Sequence, residues 1–259
     1  MNAHAKCRVC AAWWLTLLMA LSACNDVRAG QATDYTVVAV FPHDSSAYTQ
    51  GLIAQSGGLI EGTGLRKHSD LRRVELSSGR VIERRKLQPR YFGEGITALG
   101  NYIYQLTWKS GLGFIYDLET FRLLRTFDYQ GEGWGLTHDG EMLIMSNGSA
   151  ELLFIDPKTL ELIDSLVVAD GFGPVHMLNE LEFVDGKILA NVYRSDHIVE
   201  IDPTSGRVTK RIDLSALSEA ERLVNRKAKE LNGIAYDNVD GRLFITGKFW
   251  AHVYEIELH

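Results

Sequence analysis

From residue 35 to the C-terminus, short apolar runs alternate with polar positions at a period of two, the pattern of half-buried β-strands. Turn pairs at Gly57-Gly58, Gly100-Asn101, Asp139-Gly140, Asp185-Gly186 and Asp240-Gly241 separate these runs, and each is a hairpin signal. One phrase recurs five times: Thr49-Gln50-Gly51-Leu52, Gly93-Glu94-Gly95-Ile96, Gly133-Trp134-Gly135-Leu136, Leu178-Asn179-Glu180-Leu181 and Leu231-Asn232-Gly233-Ile234. Its frame is a small or apolar residue, a variable one, Gly or Glu, then an aliphatic. The variable positions lie 44, 40, 45 and 53 residues apart.

Each phrase opens a strand. A second strand follows and ends near Gly64, Trp108, Asn147, Tyr193 or Lys248, and a third carries Val74-Glu75-Leu76, Tyr116-Asp117-Leu118, Ile155-Asp156-Pro157, Ile201-Asp202-Pro203 or Ile256-Glu257-Leu258. The acid in this third strand suits a turn cap. Four units continue into a fourth strand, as in 80–87 and 207–214. Four short strands per unit at this spacing predict an all-β fold, a five-bladed β-propeller. The fifth unit reaches only its third strand, and a lone strand at 35–41 precedes the first phrase. That N-terminal strand is expected to complete the last blade and so remove an open sheet edge. The longest interval holds Ser218-Glu219-Ala220-Glu221, a capping-box pattern, which predicts a short inserted helix over 222–229. Its charges, Arg222, Arg226, Lys227, Lys229 and Glu230, read as a solvated face.

Composition narrows the class. The 259 residues are 46% hydrophobic, with 24 Gly and 5 Pro, which suits many strands joined by tight turns. The net charge of −6, without long runs of one sign, argues against a nucleic-acid partner. Residues 1–29 differ in kind. Lys6 and Arg8 precede an apolar run over 11–21 that has the length and flanks of a secretory leader. Two exits fit: Leu21-Ser22-Ala23-Cys24 resembles a lipoprotein lipobox, and Val27-Arg28-Ala29 a signal-peptidase site before Gly30. The lipobox is favoured, because Cys24 falls directly after the apolar run. A lipidated Cys24 would tether an exported, periplasmic or cell-envelope domain to a membrane. All three cysteines, Cys7, Cys10 and Cys24, lie in this leader, so the single domain at 30–259 has no disulfide. Cys7-x-x-Cys10 resembles a redox motif but falls in the leader's charged region.

A repeat that keeps its frame and varies one position holds an asymmetric site on a symmetric scaffold. In a propeller the phrase leads into the innermost strand, which places Gln50, Glu94, Trp134, Asn179 and Asn232 at one mouth of the central channel. The second strands add Trp108, Asn147, Tyr193 and Lys248, and the connections between blades add Phe41 and Phe92. Singly, each has a structural explanation: tryptophans pack cores, and amides satisfy backbone groups. Glu94 resists one, since a carboxylate between glycines and aromatics is desolvated and suits general acid/base work. The histidines form no HxH or HExxH pair, and no GxSxG, P-loop or dinucleotide fingerprint is present. Side-chain chemistry without cofactor or metal is expected.

At these residues the chain resembles the plant-type glutaminyl-peptide cyclotransferases, a family with bacterial members. The resemblance rests on Phe41-Pro42-His43-Asp44, Tyr48-Thr49-Gln50-Gly51-Leu52, Thr63-Gly64-Leu65, Phe92-Gly93-Glu94-Gly95-Ile96, Tyr104-Gln105-Leu106-Thr107-Trp108-Lys109, Gly131-Glu132-Gly133-Trp134-Gly135-Leu136, Leu178-Asn179-Glu180-Leu181-Glu182, Asn191-Val192-Tyr193, Leu231-Asn232-Gly233-Ile234-Ala235, and Thr246-Gly247-Lys248 with Trp250. It implies a five-bladed propeller that converts the N-terminal glutamine of peptides or proteins to pyroglutamate with release of ammonia, without a metal. Glu94 matches the family's acid/base glutamate. Gln50, Trp108, Trp134, Asn179 and Lys248 match its pocket. Tyr193 departs from the usual Trp, keeping an aromatic wall and adding a hydroxyl. Lys248 and Asn179 are expected to serve the oxyanion, and Phe41, Phe92, Tyr193 and Asn232 to bind substrate. A monomer is expected. Two other classes fit the propeller: a metal-dependent lactonase-like hydrolase, for which Glu94, Asn179 and Asn232 would hold a cation, and a non-catalytic binding propeller at the cell envelope. Chelation and ammonia release discriminate them.

Overall fold

The computed structural model describes residues 34–259, and the leader with Cys24 and Gly30 lies outside them. Five four-stranded antiparallel sheets follow one another as blades. Their innermost strands are Thr49–Gln55, Gly93–Leu99, Leu136–His138, Leu178–Val184 and Leu231–Asp237, each opened by the recurring phrase or by its last residue. Hairpins form where the turn pairs predict them. Ser56 and Gly57, and likewise Asp185 and Gly186, are consecutive left-handed residues, as a two-residue type I′ turn requires.

The N-terminal strand, Tyr35–Pro42, is the outermost strand of the fifth blade. It pairs antiparallel with His252–Leu258, from Tyr35 opposite Leu258 to Pro42 opposite His252, with a bulge between Val37 and Ala39. This closure joins the two ends of the domain without a disulfide.

Core packing follows the blade count. Five apolar clusters each fill one wedge between neighbouring blades: Ile60, Leu71, Ile96 and Ile103 between the first and second, for example, and Leu52, Leu59, Ala235 and Phe244 between the fifth and first. The inner strands are therefore buried on both faces at their axial ends, and alternation of half-buried and exposed positions is clearest on an outermost strand such as Arg80–Lys86.

At the axis the third position of the phrase decides what fits. A Cβ on Gly51 would lie 2.5 Å from the Ile96 nitrogen, and one on Gly95 2.6 Å from both the Leu136 nitrogen and the Trp134 carbonyl oxygen. One on Gly135 would press into the Asn179 carbonyl oxygen. Neighbouring inner strands thus approach backbone to backbone, and Gly95 N–H donates to the Trp134 carbonyl at 2.7 Å. The fourth blade carries Glu180 in the glycine position. Its Oε2 accepts from Ile234 N–H at 2.8 Å and its Oε1 from Leu52 N–H at 3.3 Å. The fourth and first blades are not neighbours in the ring, so this carboxyl crosses the axis. Burial pushes its pKa well above the ordinary value, and Glu182 adds to the push.

The inserted helix is displaced from its expected place. It spans Ser215–Val224, so Ser218 lies inside it, not at its cap. Asp213 Oδ1 accepts the Ser215 N–H at 2.9 Å and supplies the turn at its start. Burial, not the capping-box pattern, sets the position: Leu217, Ser218 and Glu221 face the domain. Glu221 accepts from Ala251 N–H at 2.6 Å and from the Tyr254 hydroxyl at 2.7 Å. After Asn225 the chain is not helical, and Lys229 is carried to the mouth of the channel.

Close approach at the axis sets an expected stability effect. Gly135→Ala lowers stability by about 3 kcal/mol, because neither backbone can retreat. Gly171→Ala, at a glycine with open space and an ordinary backbone, stays within about 0.5 kcal/mol. Urea midpoints of the two variants check this.

Candidate functional site

Nine residues line one cavity of about 170 Å³: Tyr48, Gln50, Phe92, Glu94, Trp108, Trp134, Asn179, Tyr193 and Lys248. The volume is below the roughly 300–1,000 Å³ of sites for drug-sized ligands, so the cavity suits one amino-acid side chain. Seven blade positions from the sequence reading, together with Phe92, meet here, although they are spread over 199 residues of chain, the interval from Gln50 to Lys248 counted inclusively.

Two local devices aim these side chains. The variable residue of each of the first four phrases sits just before the close axial approach and faces the mouth. At the end of the second strand, the next residue turns left-handed in four blades: Leu65 at φ 76°, Gly148 at 81°, Arg194 at 64° and Phe249 at 62°. Three of these are not glycine, and such strain persists where the surroundings impose it. The turn after Tyr193 and after Lys248 leaves both side chains at the cavity. At Gly148 the absent Cβ has a second use, since one would sit 2.7 Å from the Trp134 indole.

The aromatic walls form a belt. Tyr48 meets Phe92 edge-on at 6.0 Å between ring centres, and Phe92 meets Trp108 at 5.6 Å. Trp134 meets Tyr193 at 5.6 Å, nearly perpendicular. Two charged side chains close the gaps. Lys248 Nζ lies 4.8 Å from the Tyr193 ring centre and 5.1 Å from that of Tyr48. Glu132 Oε2 accepts the indole N–H of Trp108 at 2.6 Å and that of Trp134 at 3.0 Å.

Inside the belt lie Glu94 and Gln50, 4% exposed each, and the Gln50 amide donates to Glu94 Oε2. Burial drives the Glu94 pKa well above its ordinary value of 4.5; Lys248 pulls it down and Glu132 pushes it further up. Burial also lowers the Lys248 pKa, against the pull of Glu94 and Glu230. Glu132 goes the other way. Burial opposes its charge, but the Trp134 and Trp108 N–H groups and Lys109 outweigh that and hold its pKa low. The site thus contains a carboxyl facing the cavity whose neutral form burial favours, and one behind its walls whose ionised form its donors favour. Asn179 Oδ1 is buried with no hydrogen-bond partner, an acceptor open to a ligand N–H.

Three expected positions fall elsewhere. Phe41 lies on the outermost strand of the fifth blade, opposite Val253 and 6.3 Å from the Phe244 ring centre, and is not a wall of the cavity. The residue equivalent to Phe92 in the first unit is Tyr48, directly before the phrase. Asn232 is fully buried beneath the cavity, donating to the Thr49 carbonyl at 3.0 Å and reaching Gln50 Oε1 at 3.5 Å. It supports Gln50 and does not line the cavity. Asn147 is used in a turn, where its Oδ1 accepts from Ser149 N–H. Lys229 is not part of a solvated helix face: its ammonium lies 5.8 Å from the Tyr48 ring centre. Tyr48 and Glu132 were missed, yet both stand one residue before the phrase, as Phe92 does. Among the described residues no group of three or more His, Cys, Asp or Glu is placed to hold a metal ion.

The family model described as glutamine cyclotransferase matches residues 9–258. A glutaminyl-peptide cyclotransferase from Arabidopsis thaliana is 41% identical over 225 residues, covering 86% of this chain and 70% of that protein. The crystal structure of Myxococcus xanthus glutaminyl cyclase superposes with a TM-score of 0.81 at 37% identity, covering 86% of this chain and 96% of that one.

The raised pKa of Glu94 also has a stability consequence. A carboxyl whose folded pKa exceeds its unfolded one leaves stability intact below its ordinary pKa and erodes it as pH rises through the folded value. Glu94→Gln removes that erosion. Its denaturation midpoint is expected to gain on the parent protein as pH rises above the ordinary carboxyl range; parallel urea curves at acid and alkaline pH make the comparison.

Proposed function

The chain belongs to the glutamine cyclotransferase family and is a glutaminyl-peptide cyclotransferase, and from that premise we propose that Glu94 is the general acid/base of a metal-independent cyclisation of N-terminal glutamine. The observation that carries this reading is that Glu94 is the one carboxyl among the nine cavity-lining residues, buried with a raised pKa.

The reaction joins the α-amine nitrogen of glutamine to its own side-chain Cδ and breaks the bond from Cδ to the amide nitrogen. Free α-amines titrate at about 7.7–8.0. Burial raises the Glu94 pKa, which narrows the gap in proton affinity between an ordinary carboxyl and such an amine and lowers the cost of exchanging a proton. Deprotonated Glu94 takes the proton from the attacking amine. It then returns the proton to the departing nitrogen, which leaves as ammonia, and the carboxylate is restored. Negative charge gathers on the former carbonyl oxygen in between. Lys248 and the Asn179 amide are the donors assigned to it. Gln50, held by Asn232 and bonded to Glu94, sets the orientation of the carboxyl. Trp108, Trp134, Tyr193, Tyr48 and Phe92 enclose the side chain and favour the folded-back conformer, so part of the rate comes from positioning. A cavity sized for one side chain, with its acid at the closed end, favours a chain terminus over an internal glutamine.

The leader reading places this enzyme outside the cytoplasm, as a monomeric periplasmic domain or one tethered at the envelope through lipidated Cys24. Neither a nucleic acid nor a cofactor enters the proposal. Mass spectrometry of the mature protein should find the N-terminus at acylated Cys24; a free N-terminus at Gly30 would instead identify ordinary signal-peptidase cleavage.

In a coupled ammonia assay with a glutaminyl dipeptide, Glu94→Gln is expected to lose about 10²–10⁴-fold in kcat, and activity is expected to survive EDTA. Near-normal turnover by Glu94→Gln sinks the assignment. Lys248→Met removes the cation that lowers the Glu94 pKa. The acid limb of its kcat/KM profile should therefore move to higher pH, and an unmoved limb would separate the two groups.

A further inference from the structure

The belt around the cavity is continuous through ring contacts except at two joints, Lys248 and Glu132. Lys248 lines the cavity; Glu132 does not. We infer that Glu132 is a positioning residue for the reaction: one carboxylate oxygen anchors the indoles of Trp108 and Trp134 and fixes the spacing of the two walls that confine the substrate side chain. This rests on the cyclotransferase reading of the cavity.

The two tryptophans come from different blades. Trp108 follows the second strand of the second blade, and Trp134 precedes the first strand of the third. No ring contact joins them, and an indole has a single N–H to donate. Both N–H groups converge on Glu132 Oε2, at 2.6 and 3.0 Å. Bonds to an ionised acceptor are short and roughly twice as strong as neutral ones, and the low pKa of Glu132 keeps it ionised. The remaining oxygen, Oε1, takes Lys109 Nζ at 3.3 Å, and that ammonium lies 4.4 Å from the Trp108 ring centre. Lys109 therefore steadies both the carboxylate and one wall.

A purely structural tie is a poor account of this arrangement. The Lys109 and Glu132 side chains are 52% and 36% exposed, and such surface pairs contribute little to stability. What the carboxylate controls is the separation of two rings facing the substrate, where a displacement on the order of 1 Å can cost about 10²-fold. In the repeat, Glu132 occupies the position held by Tyr48 and Phe92, themselves cavity walls. The third blade thus places an anchor where the first two place a ring.

The test uses the purified protein with a glutaminyl dipeptide and two variants. Glu132→Ala is expected to raise KM by about 10- to 100-fold as the walls lose their hold on the side chain, and to lower kcat by less, as the folded-back conformer is held less well. Glu132→Gln keeps a carbonyl acceptor and should hold KM within about threefold. Indole N–H resonances report the anchor directly: those of Trp108 and Trp134 should exchange slowly with solvent in the parent protein and fast in Glu132→Ala. A parental KM in folded Glu132→Ala overturns the proposal, as does Glu132→Gln being as impaired as Glu132→Ala. Should Glu132→Ala fail to fold, fast exchange of both indoles in the parent protein overturns it equally. Absence of ammonia release by the parent protein would count against the cyclotransferase reading, and the exchange measurement would still judge the anchor.

Discussion

Everything in this molecule depends on how closely five inner strands can approach one axis. Gly51, Gly95 and Gly135 allow backbone-to-backbone contact, and a methyl group at any of them would meet backbone atoms that cannot yield. Glu180 takes the same position in the fourth blade and spans to the first and fifth through backbone N–H groups. Glu182, two residues on, also accepts from Tyr236 N–H of the fifth blade and the Thr137 hydroxyl of the third. The mouth holds a cavity of about 170 Å³.

The chemistry follows from that enclosure. Residues one step ahead of the close approach must point at the mouth, so Gln50, Glu94, Trp134 and Asn179 converge without any local sequence contact. Enclosure desolvates Glu94 and raises its pKa, and it lowers that of Lys248. The same burial that would be a liability in a core favours the neutral form of a carboxyl beside the cavity, which is what the proposed acid/base role draws on. Glu132 escapes the effect because two indoles and Lys109 supply its counter-field.

Strain and closure complete the arrangement. Left-handed Arg194 and Phe249 hold the ends of their strands so that Tyr193 and Lys248 stay at the cavity. The outermost strand of the fifth blade, drawn from the other end of the domain, prevents the ring from opening. A site assembled from all five blades needs that closure, since every sheet contributes at least one of its walls.

Sequence alone determined the number of blades, the closing strand and most of the site, because a repeated frame makes equivalent positions visible and only one of its variable residues is an acid. It also held Tyr48 and Glu132 in plain view, one residue before the phrase. Phe41, which precedes the phrase by eight residues, lies instead on an outer strand. The frame treated Gly and Glu at its third position as interchangeable, whereas the fold seats a single side chain there. Where Asn232 came to rest, which charges of the inserted segment reached the mouth, and how two tryptophans share one oxygen were decided by tertiary structure. These depend on distances between different blades, and no spacing within one strand encodes such a distance.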